Sequence, residues 1–127
     1  MHNLKELKIW NKAIDLSVCT YQATANFPSD ERFGLISQSR RAAVSISSNI
    51  AEGAGRNSHK EFNNFLGMAN GSAYELQTQL IISNRLNLLN DDILNSLLKQ
   101  IDELQKMIYA FQNMLNKSHV SNLTSQI

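Results

Sequence analysis

Three glutamates (Glu52, Glu61, Glu75) and His59 are the residues of this chain best suited to acid–base or metal chemistry. Helical bundles that hold carboxylate-bridged metals use Glu from facing helices together with Glu-x-x-His repeats. That spacing does not occur here, and His59 stands two residues before Glu61 rather than three after a glutamate. The segment SISSNIAEGAGRNSHKEF (Ser45 to Phe62) raises a different chemistry, phosphate binding: Gly53 and Gly55 are followed by Arg56, Ser58, His59 and Lys60. A dinucleotide loop needs a strand before its glycines, and a phosphate loop needs a Lys-Ser/Thr pair after them. A helical pattern precedes these glycines and the pair is missing. They are read as a helix stop using backbone freedom at positive φ, with Ser58 restarting the chain as the next helix. Free amides there, beside Arg56 and Lys60, are the functional alternative, an anion contact.

Serines are plentiful, but none is grouped with a histidine and an acid as nucleophilic catalysis requires. His2, His59 and His119 match no metal-ligand spacing. The single cysteine, Cys19, excludes an intrachain disulfide and a thiolate cluster. The sequence therefore predicts no enzyme, no catalytic residues, no metal and no cofactor.

The elements that position these residues follow from periodicity. The 127 residues are 43% hydrophobic and 18% charged, which suits one folded domain. Period 3.6 dominates over period 2. In the first helix Leu7, Trp10, Ile14, Val18 and Tyr21 share a face, and Pro28 ends it near Asn26. The second is expected to start after PSDER, where Ser29 or Asp30 can cap, with Leu35, Ala42, Ile46 and Ile50 sharing a face. The third starts at Ser58, with Glu61 at the capping-box spacing, and carries Phe62, Phe65, Leu66, Ala69, Ala73, Leu76 and Leu80. The fourth, capped by Asn90 or Asp91, has the cleanest stripe: Ile93, Leu97, Ile101, Leu104, Ile108, Phe111 and Leu115. Short connections make neighbours antiparallel, so the fold class is all-α, an up-down-up-down four-helix bundle over residues 1–117. The polar tail 118–127 is expected to fray. The charged start MHNLKELKIW and the absence of a membrane-length apolar run lead to the expectation of a cytoplasmic protein without a membrane partner.

The formal net charge of +1 makes no general case for nucleic acid, but the charge is uneven. Arg32, Arg40, Arg41, Arg56 and Lys60 face a single acid, Glu52, between residues 32 and 60, whereas Asp91, Asp92, Asp102 and Glu103 sit in the fourth helix. From Phe33 to Glu52 only Arg40, Arg41 and Glu52 are charged, too few for a surface helix. This helix is expected to be covered by another protomer. A polar stripe, Gln38, Arg41, Ser45, Asn49 and Glu52, runs along it, and a second, Ser72, Glu75 and Gln79, runs along the third helix. The two are expected to bond to each other or across an interface, with Arg41 paired to Glu75; two separate solvated stripes are the alternative. Gly67 and Gly71 are expected to let a neighbouring helix come close.

The stretch ERFGLISQSRRAAVSISSNIAEGAGR resembles the four-helix proteins encoded within bacterial 23S ribosomal RNA intervening sequences. LKELKIWNKAIDL and KEFNNFLGMANGSAYELQTQL resemble the same family, over about Leu4 to Leu80; the fourth helix agrees only in pattern. Ser47 stands where that family usually has proline, and Ser39 and Asn70 stand where it tends to be apolar. The resemblance implies a left-handed four-helix bundle, a homopentamer, and no settled biochemical activity. A related branch serves reverse transcriptases of diversity-generating retroelements and binds nucleic acid through a basic barrel. The expected partners are thus further copies of the chain and RNA or a nucleic-acid-handling protein, with Arg40, Arg41, Arg56 and Lys60 as the phosphate contacts. The alternative is a protein-binding scaffold without nucleic-acid affinity.

Overall fold

The computed structural model describes residues 2–125, with side chains as far as Lys117. Four helices form the bundle: α1 (Lys8–Thr24), α2 (Ser37–Ala54), α3 (His59–Arg85) and α4 (Asp91–Ser125). α1 packs on α2 and α4, and α3 packs on the same two, so the helices occupy the corners of a square. Side-chain bonds fix the antiparallel order: Asn63 Nδ2 at the start of α3 donates to Asn116 Oδ1 near the end of α4 (3.4 Å), and Asn84 Nδ2 at the end of α3 donates to Asp91 Oδ1 (2.8 Å). α4 continues beyond residue 117, and the tail expected to fray falls outside the described side chains.

Local chemistry sets the corners. Ser58 Oγ accepts from the Glu61 amide at 3.1 Å and caps α3; Asn90 Oδ1 accepts from the Ile93 amide at 2.8 Å and caps α4. Between them Asn87 takes φ 62°, and the Leu88 amide reaches back to the Ser83 carbonyl, which closes α3.

The second helix begins later than the sequence suggests. Ser29–Glu31 form a 3-10 turn and Arg32–Ile36 a π-turn, before the regular helix starts at Ser37. The cause is Glu31, whose carboxylate accepts from the Leu35 amide at 3.1 Å and starts the winding in a wider turn, with Leu35 anchored in the core. From Ser37 to Ala54 α2 is uninterrupted, and Ser47, in place of proline, is buried with its hydroxyl donating to the Val44 carbonyl.

Gly53 and Gly55 do not use positive φ; Gly55 ends α2 with φ −83°. Gly53 serves close approach. A Cβ built on it would lie 2.8 Å from Phe65 Cβ and 2.9 Å from Phe62 Cδ1, so α3 crosses α2 against bare backbone. Gly67 and Gly71 are the reverse case: they are exposed, and beyond their chain neighbours and own helix backbone no atom among the described residues lies within 4 Å of an added Cβ.

The core is built from Ile46 and Ile50 of α2, the α3 stripe from Phe62 to Leu80, and the α4 stripe from Leu97 to Leu115. The first helix corrects its expected face. Ile14, Val18 and Tyr21 point outward, and Ile9, Ala13, Leu16 and Thr20 point inward. Small and hydroxyl residues can line an interior when their polar groups are satisfied. Thr20 donates to the Leu16 carbonyl and Thr24 to the Thr20 carbonyl. Ser39, by contrast, is fully buried with no partner for its hydroxyl among the described residues, and the Asn70 side-chain oxygen is likewise unpartnered.

Candidate functional site

The four basic residues singled out in the sequence do not form one patch. Arg40 and Arg41 lie near the start of α2, Arg56 and Lys60 beyond its end, roughly 20 Å away along the helix. Two of the four are engaged within the chain. Arg40 donates from Nε to Thr24 Oγ1 (3.0 Å) and from a terminal nitrogen to the Tyr21 carbonyl (3.3 Å), with its guanidinium 4.4 Å over the Tyr21 ring. It thus supplies the cation that the C-terminus of α1 lacks in its own last turn. Arg56 pairs with Glu52 at 3.1 Å and lies over Phe65 at 4.9 Å. Arg41 and Lys60 are exposed and outside every ion pair among the described residues.

The two polar stripes do face each other. Gln38, Arg41, Ser45, Ser72, Glu75 and Gln79 line one groove between α2 and α3. Ser45 and Ser72 share a hydrogen bond of 2.9 Å, and Asn49 Nδ2 donates to both the carbonyl (2.9 Å) and the hydroxyl (3.1 Å) of Ser45. Glu52 stands apart, taken by Arg56. The expected Arg41–Glu75 ion pair is not formed: both side chains are exposed, where an ion pair gains little over water.

Among the described residues no three His, Cys, Asp or Glu side chains group as metal ligands, and no helix is long and apolar enough to cross a membrane. At the end of the bundle His2 packs edge-on against Phe62 (5.0 Å) and Phe111 (5.9 Å), with His59 at 6.4 Å. Burial, then the N-terminal ammonium and His59, hold the His2 imidazole below its ordinary value. Across α1 and α4, Lys12 bonds Glu103 at 2.9 Å; that hydrogen bond and the Lys12 charge hold the Glu103 carboxyl below its usual range.

What periodicity missed is an outward apolar surface. Ile14, Val18 and Tyr21 of α1 and Val44 of α2 lie exposed along one seam, and Phe33, on the π-turn at its end, is 87% exposed. The signal is present in the sequence, since α1 carries two apolar stripes, but hydrophobicity alone assigns the outer one to the core. A groove of about 380 Å³ on the other side of α1 has Cys19, Ala23, Asp92, Ile93 and Leu97 among its lining residues.

This geometry is shared. A crystal structure of a protein of unknown function from the S23 ribosomal protein family of Bacteroides thetaiotaomicron superposes with a TM-score of 0.73. It is 22% identical, and the match covers 82% of this chain and 97% of that one, which establishes likeness of fold. Comparison with curated proteins finds no match. The family model of the 23S rRNA-intervening sequence protein matches residues 5–110, extending the resemblance seen over Leu4 to Leu80 well into α4. By that match the chain belongs to the 23S rRNA-intervening sequence protein family.

Proposed function

We propose that this protein is a non-enzymatic building block that works as a closed assembly of its own copies. One observation carries the reading: the α1–α2 seam presents Ile14, Val18, Tyr21 and Val44 to the outside, next to an exposed Phe33. Several exposed apolar side chains on two neighbouring helices, with arginines among them, suit an interface better than a solvated face. The sparse charge of α2 supports the same reading, as does the pentamer that the resemblance implies. Light scattering and native mass measurement of the wild-type chain test it. A mass of several chains at micromolar concentration is expected, and a monomer at all concentrations overturns it. Val18→Glu and Val44→Arg, both at exposed positions, are expected to lower the mass while leaving the helical spectrum unchanged.

A second reading, contact with RNA in the assembled state, is favoured by Arg41 and Lys60, exposed cations without an acid partner among the described residues. A ring would repeat each cation, and avidity would then supply what one protomer lacks. Such contacts go to phosphate, so binding is nonspecific and falls steeply with salt. Structured ribosomal RNA fragments at low and near-physiological salt are the probe. Loss of binding in Arg41→Glu and Lys60→Glu at unchanged mass supports this reading. No binding even at low salt leaves the protein scaffold alone.

A further inference from the structure

Phe33 is a large apolar side chain held outward by ordered structure. The Glu31 carboxylate ties the turn through the Leu35 amide, and Leu35 and Phe27 are buried on either side. Burying an aromatic ring removes roughly 150–250 Å² from water, so a fixed ring left outside is poised to be covered. Its flank is basic: Arg32, Arg40 and Arg41 line the hollow beside the turn. Against these three arginines stand the two acids of the preceding turn, Asp30 and Glu31, the latter keeping its charge while it accepts from the Leu35 amide.

The α1–α4 groove has the complementary character. Cys19, Ala23, Ile93 and Leu97 line it together with two glutamines and a serine, and Asp92 is among its lining residues, with Asp91 beside it in the first turn of α4. Its volume of about 380 Å³ has room for a phenyl ring. Phe33 and this groove lie at the same end of the bundle, since both are close to the end of α1 and the start of α4. Copies standing side by side around a symmetry axis therefore bring them to the same height. The apolar groove under Leu7, Met107, Phe111 and Met114 lies at the opposite end and is out of reach.

We infer that Phe33 of one copy inserts into the α1–α4 groove of the next, with Arg32 beside Asp92, giving a head-to-tail ring. The inference rests on the self-association proposed above and names its contact. The surfaces used differ, so the contact is heterologous and generates a ring when the rotation closes.

The lone Cys19 in the groove provides the test. In Phe33→Cys, mild oxidation is expected to link the introduced thiol of one copy to Cys19 of the next. Each chain then carries two bonds to two different neighbours, which appears as a ladder of dimers, trimers and larger species on a non-reducing gel. Phe33→Cys with Cys19→Ser is expected to lose the ladder, and adding Ile93→Cys to that double variant restores it. Adding Met114→Cys instead does not. A charge swap, Arg32→Asp with Asp92→Arg, is expected to regain the mass lost in either single variant. An oligomeric wild type whose Phe33→Cys variants give no ladder, either with Cys19 or with Ile93→Cys, overturns this contact but not self-association. A monomeric wild type overturns both. Phe33→Asp at unchanged mass also overturns the contact; its exposure keeps folding out of the result.

Discussion

Adding one methyl group at Gly53 probes the closest approach between α2 and α3. The new carbon would stand 2.8 Å from Phe65 Cβ, 2.9 Å from Phe62 Cδ1 and 3.3 Å from the Phe62 carbonyl oxygen. Carbon atoms rest about 3.5–4.0 Å apart, so the two helices must part by roughly 0.6–1.2 Å. Phe65 Cβ moves only with the α3 backbone, and the Phe62 ring is boxed in by His2 and Phe111. Overpacking of this size costs about 1–3 kcal/mol. Alanine's better helix propensity returns about 1 kcal/mol. The upper part of that range applies, because neither neighbour can give way. Gly53→Ala is therefore expected to lose about 1–2 kcal/mol, a fall in Tm of roughly 3–8 °C for a domain of this length. Urea and thermal unfolding followed by circular dichroism measure it, at several protein concentrations because assembly contributes to apparent stability. Gly67→Ala is the matched comparison: with nothing beyond its chain neighbours and own helix backbone within 4 Å, it keeps the propensity gain of up to about 1 kcal/mol. Equal stability of the two variants would refute the close-approach argument.

Arg40→Ala removes two hydrogen bonds and a stacked cation from the end of α1, and is expected to cost about 1–2 kcal/mol in urea unfolding. Ser39→Ala removes a buried hydroxyl without a partner and is expected to gain about 1 kcal/mol in the same assay. The lowered Glu103 carboxyl stabilises the fold fully above the ordinary carboxylate value, and this contribution is lost as pH falls through the lowered one; Lys12→Met is expected to flatten that part of the acid limb. The lowered His2 imidazole acts in the same direction at higher pH: its contribution is present above the ordinary imidazole value and lost as pH falls through the lowered one. An NMR titration of His2 is expected to read below the ordinary imidazole value, and Phe111→Ala, which opens its surroundings to water, to raise it.

The stripes of α3 and α4 are legible because each carries one row of large apolar residues, so hydrophobicity and burial coincide from Phe62 to Leu80 and from Leu97 to Leu115. α1 misleads because its interior mixes Ile9 and Leu16 with the small or hydroxyl residues Ala13, Ser17, Thr20 and Thr24; the two threonine hydroxyls bond within the helix itself, whereas that of Ser17 is unpartnered among the described residues. A rule that ranks faces by apolar size picks the other row. The capping of α3 by Ser58 is a short local motif and could be read directly. The delayed start of α2 depends on a Glu31 side chain folding onto a backbone amide, which competes with ordinary capping at a cost too small to foresee. The candidate phosphate contacts were legible only as types. That Arg40 belongs to the end of α1 needs a partner sixteen residues away, and that Arg41 and Lys60 lie at opposite ends needs the helix length.

The thin interior face of α1 has a dynamic consequence. Only Ile9 and Leu16 are large, fully buried apolar side chains on that helix, with Trp10 half-buried beside them, so less hydrophobic area holds α1 than holds α3 or α4. In a free protomer α1 is then the unit that detaches first, and its amide hydrogens exchange through a partial opening that leaves α3 and α4 protected. A neighbour covering the outer row of α1 would close that route. Slow exchange in α1 would thus report assembly residue by residue.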